Sequence, residues 1–204
     1  MSATMTTIIC VSGPPFHTPL WADVEKRLQK HGLNTQTWAL LDTDTGDFNA
    51  ELSALTARLD RMDGPIVLMA HGLANPLVIA ATHAARVSGV VLSNGPTVRP
   101  DRWTTVVKWV GKTPRHLTMA WLRSSAGLRR LVVNPYVMDR DTTVAVCAPI
   151  IEDKRRRHRM QHYLDSIGWN APKPGTKLLL CEGDNDPLTC RNHEHFIDSF
   201  DGEV

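Results

Sequence analysis

The sequence predicts an α/β protein with a parallel sheet of about five strands, and two observations lead to that prediction. In residues 1–96, short β-branched runs alternate with stretches that have apolar residues at helical spacing. The same alternation returns after residue 175, beyond a long stretch without a convincing strand pattern. Strands that alternate with helices of about 10 to 15 residues form βαβ units, which give a parallel sheet with helices on both faces.

The predicted elements follow one another in regular order. Strands are predicted for five short β-branched or apolar runs, at 6–11, 35–41, 64–70, 88–96 and 176–187, the last of which ends in an acidic turn. Helices are predicted where apolar residues recur every three or four positions, at 20–30, 50–62, 76–87 and 192–200.

Residues 97–175 have the pattern of a helical insertion after the fourth strand. Their apolar residues recur at helical spacing in short segments, and a longer helix is predicted over 142–167. We therefore expect a discontinuous core, 1–96 plus 176–204, that is interrupted by this insertion. The basic run 154–159 is interpreted as a solvated helix face, with an acidic partner or an anionic surface as the alternative.

Composition excludes several classes of protein. Hydrophobic residues make up 42% and charged residues 22% of the 204-residue chain, which argues against disorder. No apolar run approaches the roughly 20 residues that span a bilayer, and the N-terminus lacks a secretory signal pattern, so we expect a cytoplasmic protein without membrane contact. The net charge of +2 does not indicate nucleic-acid binding. The four separated cysteines are interpreted as reduced thiols.

Four stretches of the chain resemble segments of the α/β-hydrolase superfamily, in the family's order. VSGPPFHTPLW (11–21) resembles the segment that supplies half of the oxyanion hole, and LMAHGLANPLVIA (68–80) resembles the nucleophile elbow. VSGVVLSNGP (87–96) resembles the strand that leads into the helical cap, and KLLLCEGDNDPLTC (177–190) resembles the strand and turn that carry the triad acid. The resemblance implies a three-layer α/β-hydrolase-like fold, with 97–175 as the cap.

The resemblance also implies that this chain lacks parts of the family's serine-hydrolase machinery. Gly72 stands at the nucleophile position, and it has no side chain for covalent acyl transfer. Pro14, which has no N–H, stands where the family has one oxyanion donor, so the Leu73 N–H is left as the other. Asp186 occupies the acid position, and the sequence ends at Val204, before the strand that would precede the triad histidine. We therefore expect a divergent member with a sheet shortened at both ends.

Two hypotheses follow for function. In the first, the chain has lost serine hydrolysis and is a non-hydrolytic protein that binds a small apolar ligand or a partner subunit. In the second, it is a non-covalent enzyme, such as a water-mediated hydrolase, lyase, isomerase or cyclase, that acts on a small apolar carbonyl compound. His71, Asp186 or Ser12 would then be the acid and base. A truncated or mutated ordinary hydrolase remains a third alternative.

The expected site residues lie around the elbow. A displaced Ser12 nucleophile with His71 or His17 as its base is weighed against a loop-capping role for Ser12. Ligand contacts are predicted for residues of the elbow, the first loop and the insertion: Gly13, Pro14, His17, Leu73, Trp103 and Trp121. No nucleotide or metal site is predicted. The strand at 178–183 is expected to form an open sheet edge. Either a second copy or a partner subunit pairs there, or the natural chain continues beyond Val204.

Overall fold

A computed structural model describes residues 5–41, 46–84, 86–97 and 140–181. Within them, all strands are parallel and form one sheet in the order β2-β1-β3-β4-β5. The strands are β1 (Thr7–Ser12), β2 (Asn34–Ala39), β3 (Ile66–His71), β4 (Val87–Ser93) and β5 (Lys177–Cys181). The predicted α/β class and parallel sheet are therefore confirmed.

The helices of the described residues flank this sheet. They are α1 (Ala22–Lys30), α2 (Phe48–Leu59), α3 (Asn75–Ala81), α4 (Arg140–Glu152) and α5 (Lys154–Ser166). Helix α3 is shorter than predicted, because the Thr82 hydroxyl donates to the Ile79 carbonyl at 2.6 Å and then accepts from the Lys173 N–H at 2.8 Å. None of these helices is long and apolar enough to cross a bilayer.

The predicted long helix at 142–167 is wrong, because Asp153 divides it into α4 and α5. Asp153 has an extended backbone, with φ −90° and ψ 112°. Its carboxylate accepts from the N–H groups of Arg155 and Arg156, at 2.7 and 3.4 Å. An aspartate in this geometry begins a new helix, because it satisfies backbone donors that a helix start leaves unpaired.

Side chains on the two faces of the sheet belong to two hydrophobic clusters. Ile9 and Val11 of β1 pack into the larger cluster, which also contains side chains of α2, α3, α4 and α5. Ile8 and Cys10 point the other way and pack with Trp21 and α1. Successive side chains of a strand point to opposite faces of the sheet. Helices therefore pack on both faces, and the protein has three layers: helix, sheet and helix. The domain boundaries at 97 and 175 stay a prediction.

The basic run 154–159 is exposed or partly exposed, as interpreted, at every residue except Arg157. Arg157 is buried and donates to the carbonyl of Ile151. Arg159 donates to the carbonyl of Leu41, just after β2, at 3.2 Å. These arginines attach α5 to the protein, since a buried guanidinium needs acceptors for its N–H groups.

The three cysteines in the described residues are free thiols, as predicted. Burial raises the pKa of Cys10 to about 12, and the nearby Glu25 adds to the effect. Burial likewise raises the pKa of Cys147 to about 12. Both thiols therefore stay protonated at neutral pH, and they act as small core residues.

The cap of α5 gives a pH-dependent contribution to stability. The N–H groups of Arg155 and Arg156 and the charges of Arg156 and Arg159 lower the pKa of Asp153. The stabilisation is therefore complete above the unfolded-state pKa of about 3.9 and is lost as the pH falls through the lower folded-state value. We expect Asp153→Ala to lower the free energy of unfolding by about 1 kcal/mol at pH 7, and by less in strong acid.

Urea unfolding at pH 7 and at several values below pH 4 measures this difference. Asp153→Asn is the matched control, because asparagine caps a helix without a titrating charge. A constant difference between Asp153→Ala and wild type across that range would contradict the expectation.

Candidate functional site

The turn after β3 has the geometry of a strand-to-helix elbow. Residues Gly72–Ala74 form one 3-10 turn between β3 and α3, and Gly72 has a left-handed backbone with φ 63°. The Gly72 N–H donates to the Asn94 carbonyl at 2.6 Å. Among the described residues, leaving out its two neighbours in the chain, a Cβ added at Gly72 would have one atom within 4 Å, that carbonyl oxygen at 3.9 Å. The described residues therefore leave room for a Cβ at this position.

Two other glycines press their backbones against this turn. A Cβ at Gly13 would lie 2.2 Å from the backbone nitrogen of Ala74, and a Cβ at Gly95 would lie 2.5 Å from the Cα of Gly72. Gly95 also has a φ of 133°, which L side chains rarely adopt. The loops after β1 and β4 can approach the turn this closely only because both residues are glycine.

The loop at 13–17 has no backbone N–H left for a ligand. Pro14 and Pro15 have none. The other N–H groups of the loop donate to backbone carbonyls: Gly13 to His71 at 3.2 Å, Phe16 to Gly13 at 3.0 Å and His17 to Val146 at 2.9 Å. By contrast, the backbone hydrogen bonds found outside helices and strands in the described residues include none from the N–H of Leu73. The oxyanion donor predicted to be missing at Pro14 is thus missing from the whole loop 13–17. The N–H of Leu73 is the donor that the turn offers.

Ser12 and His71 are neighbours in the sheet but are not hydrogen-bonded through their side chains. They are paired in register at the ends of β1 and β3. Ser12 is completely buried, and its hydroxyl has no hydrogen bond to any described residue. The His71 ring instead packs edge-on against Phe16, with 4.9 Å between ring centroids. The structure therefore does not join Ser12 to a base.

His17 has both ring nitrogens engaged. Arg156 of α5 lies with Nη1 3.1 Å from Nε2, and Nδ1 lies 3.1 Å from the Thr18 hydroxyl. A guanidinium can only donate, so Nε2 accepts and the proton of the neutral ring is on Nδ1. The imidazole is thus bound to α5, and a role as the base for Ser12 would require that contact to break.

Helix α5 also contacts the elbow directly. The Tyr163 hydroxyl donates to the Leu73 carbonyl at 3.0 Å, and its ring lies 5.9 Å from that of Phe48. Burial raises the pKa of Tyr163 well above its ordinary value, and the charge of the buried Glu51 adds to this. The phenol therefore stays protonated and remains a donor to the turn.

Asn94, Gly95 and Tyr163 are not singled out by the sequence patterns. In the sequence, Asn94 and Gly95 belong to the run Asn-Gly-Pro, which is the signal that β4 ends. The signal for Tyr163 is its spacing from Met160 on the buried face of α5. Neither signal identifies a contact with the elbow, because that contact joins residues about 20 and 90 positions apart.

Other predicted site residues lie outside the described residues: Asp186, Trp103 and Trp121. Their roles stay predictions. In the part of the chain that the structure describes, no three His, Cys, Asp or Glu side chains are grouped so that they could hold a metal ion.

Solved structures match the chain, whereas no protein-family model and no curated protein sequence does. A bottromycin epimerase in complex with bottromycin A2 matches with a TM-score of 0.73 and 13% identity, over 98% of this chain and 80% of that one. A 2-hydroxy-6-oxo-6-phenylhexa-2,4-dienoate hydrolase from Rhodococcus sp. strain RHA1 matches with a TM-score of 0.72 and 10% identity, over 98% and 81%. An N-formylmaleamic acid deformylase from Pseudomonas putida S16 matches with a TM-score of 0.65 and 15% identity, over 98% and 82%.

These matching structures share one fold. This chain has the α/β-hydrolase fold. In α/β-hydrolases the turn between the central strand and its helix is the nucleophile elbow, whose strained residue presents the nucleophile. In this chain the turn between β3 and α3 begins at Gly72, which has a left-handed backbone.

Two glycines of this α/β-hydrolase fold, Gly13 and Gly72, predict different costs for substitution by alanine. Gly13→Ala should lower the free energy of unfolding by about 1 to 3 kcal/mol or more, because its Cβ meets backbone that cannot move aside. Gly72→Ala should cost about 1 to 2 kcal/mol, because only the left-handed backbone opposes it.

Gly32→Ala is the matched control for Gly72→Ala, because Gly32 has φ 75° and nothing within 4 Å of an added Cβ. Urea unfolding of the three variants measures the costs. A Gly72→Ala variant much less stable than Gly32→Ala would mean that the space beside Gly72 is filled.

The Tyr163 hydroxyl should stabilise the fold through the elbow. Tyr163→Phe removes the donor to the Leu73 carbonyl but keeps the ring, so we expect a loss of about 1 kcal/mol. Tyr163→Ala also removes the packed ring, with an expected loss of about 3 to 5 kcal/mol. Thermal or urea unfolding of both variants separates the two contributions. If Tyr163→Phe has the same free energy of unfolding as wild type, the hydrogen bond contributes nothing to stability.

Proposed function

We propose that this α/β-hydrolase-fold protein binds a small apolar ligand at the elbow and does not cleave it by the serine-hydrolase route. Gly72 carries the proposal. It has the left-handed backbone of a nucleophile position, and the described residues leave room for a Cβ there, but it has no atom that could attack a carbonyl. A site that keeps its shape without its nucleophile is suited to holding a ligand.

The donors and bases around the elbow support the same proposal. A tetrahedral oxyanion needs two N–H groups aimed at it, and loss of one costs about 10² to 10³ in rate. The loop at 13–17 supplies none, so Leu73 would act alone. His17 is held by Arg156, and Ser12 is buried away from hydrogen-bonding partners among the described residues.

The ligand is proposed to be small and apolar. Phe16 and Leu73 are partly buried apolar side chains beside the elbow, and Gly13, Pro14 and His17 form the adjacent loop. Trp103 and Trp121 of the proposed cap would add aromatic surface. The proposal includes no cofactor and a cytoplasmic location.

A partner subunit is proposed at the β5 edge. Within the described sheet β5 has β4 as its one neighbour, and Leu179 is 56% exposed. An edge strand offers unpaired backbone groups to another strand, so a second copy of the chain or a partner could pair there.

A non-covalent enzyme on the same scaffold is the second candidate. The observation that favours it is the structural neighbour named an epimerase, since that name denotes a reaction other than hydrolysis on this fold. His71, Asp186 and Ser12 would be its acid and base groups, acting on a small apolar carbonyl compound.

Ester turnover and ligand binding test the proposal together. We expect wild type and Gly72→Ser both to hydrolyse p-nitrophenyl butyrate no faster than buffer, because the loop at 13–17 supplies no oxyanion donor and His17 is held by Arg156. We expect ligand-observed NMR to show saturable binding of 2-naphthol. Leu73→Gln should weaken this binding, whereas Leu33→Gln, a matched change at the opposite edge of the sheet, should not.

Wild-type ester turnover that His71→Gln abolishes would overturn the binding proposal and favour the enzyme. Binding of 2-naphthol that is absent, or equally affected by both leucine variants, would overturn the proposed location of the site.

A further inference from the structure

The outer edge of β2 offers backbone groups to a further strand. Within the described sheet β2 has β1 as its one neighbour. The Leu40 N–H donates to the Ser12 carbonyl at 3.2 Å, and alternate residues of a parallel strand direct both backbone groups to the same side. The even-numbered residues of β2 therefore face β1, and Thr35 and Thr37 face outward. The backbone hydrogen bonds found outside helices and strands in the described residues include none from or to these two threonines.

The sequence of β2 favours pairing with a further strand. Natural edge strands commonly carry Lys, Pro or a β-bulge, which oppose such pairing. Strand β2 has the sequence NTQTWA, without charge or proline, and its register with β1 has no bulge. The guanidinium of Arg58 lies over the Trp38 ring, 5.0 Å from its centroid, and donates to the Gln36 side chain at 2.6 Å. That charge is therefore held over one face of the sheet, outside the plane of the strands.

Helix α1 covers the other face of this edge incompletely. It lies on the Thr35 side, because the Gln29 side chain donates to the Thr35 hydroxyl at 2.9 Å. Its apolar residues Val24 and Leu28 pack on β1 but are only partly buried, and no residue of α1 is buried, whereas every residue of α3 is. Leu33, between α1 and β2, is 36% exposed. An amphipathic helix without a buried residue, beside an exposed leucine and an open strand edge, indicates a surface that another molecule covers.

The charges of α1 favour a second copy of the chain as that molecule. Asp23 and Glu25 are in the first turn of α1, and Arg27 and Lys30 are in its last turn. When two copies pair through β2 in antiparallel direction, their α1 helices run antiparallel on the same face of the joined sheet. The acidic turn of each copy then lies beside the basic turn of the other, so the surface is complementary to itself. A contact of this kind uses the same surface twice and closes at two copies.

We infer that two copies of this chain pair through the outer edges of their β2 strands, antiparallel, with Thr35 of each copy opposite Thr37 of the other. Each of these two pairs exchanges two backbone hydrogen bonds, and threonine pairs across strands are favourable. The twofold axis passes between the two Gln36 residues. The sheet is then continuous through both copies, with β5 at each outer edge. The inference is independent of the proposed ligand and of the proposed partner at β5.

Sedimentation of the full chain over a series of concentrations tests the association. We expect the mass to approach that of two chains as the concentration rises. Thr37→Pro removes an outward N–H but leaves the pairing with β1 in place, so it should raise the dissociation constant at least about tenfold. Thr37→Val is the matched control, because it keeps the N–H and the shape of the side chain. It should associate like wild type.

Cysteine cross-linking tests direction and register, and it does not depend on the folding of Thr37→Pro. Gln36→Cys places two thiols opposite each other, with about 4.5 Å between the Cα atoms, which is within the range of a disulfide. In the matched control Asn34→Cys, on the same face of the strand, the two Cα atoms are roughly 14 Å apart. Both variants also carry Cys181→Ser, because Cys181 is an exposed free thiol. We expect mild oxidation to link two Gln36→Cys chains and to leave Asn34→Cys unlinked.

The outcomes distinguish this contact from the other proposals. A monomer at every concentration, a folded Thr37→Pro variant that associates like wild type, or equal cross-linking of the two cysteine variants would overturn the inference. Association that Leu179→Lys abolishes and Thr37→Pro does not would assign the contact to β5 instead. Binding of 2-naphthol is measured separately, and none of these substitutions lies at the elbow, so failure of either proposal leaves the other in place.

Discussion

The backbone of the elbow is in direct contact with the loops after two neighbouring strands, and the shape of the site depends on that contact. Gly13 donates to the His71 carbonyl, Gly72 donates to the Asn94 carbonyl, and Asn94 donates to the Cys181 carbonyl. These bonds connect the carboxyl ends of β1, β3, β4 and β5 in one continuous row. A Cβ at Gly13 would lie 2.2 Å from the Ala74 nitrogen, so glycine is a steric requirement at this contact.

Helix α5 supports this row from one side. Its arginines and Tyr163 donate to backbone carbonyls or a ring nitrogen of the loops after β1, β2 and β3. Each long side chain that is held in this way loses rotamer freedom, which costs up to about 2 kcal/mol. The carbonyls at strand ends would otherwise lack partners in a buried setting, and satisfying them offsets that cost. The loops of the site are therefore anchored to a packed helix.

The absence of a side chain at Gly72 has an energetic consequence as well as a chemical one. A nucleophile elbow holds its residue at positive φ, which costs an L-residue about 1 to 2 kcal/mol. Glycine adopts the same backbone without that cost. With glycine at this position the turn can therefore have the shape of a nucleophile elbow without the strain that a side chain would add. The left-handed backbone of the turn therefore does not depend on a nucleophilic side chain at this position.

The sequence by itself determined the alternation of strands and helices, because burial on a sheet or helix face imposes periods of two and 3.6 on apolar residues. It also located the elbow, since a strand, a small-residue turn and a helix are adjacent in the chain. Only the tertiary structure decided where α4 ends, because Asp153 does not interrupt the helical pattern of its neighbours. It also decided that Arg157 is buried and that Tyr163, Asn94 and Gly95 meet the elbow. Those contacts join distant parts of the chain, and local periodicity carries no information about which acceptor a side chain will reach once the layers pack.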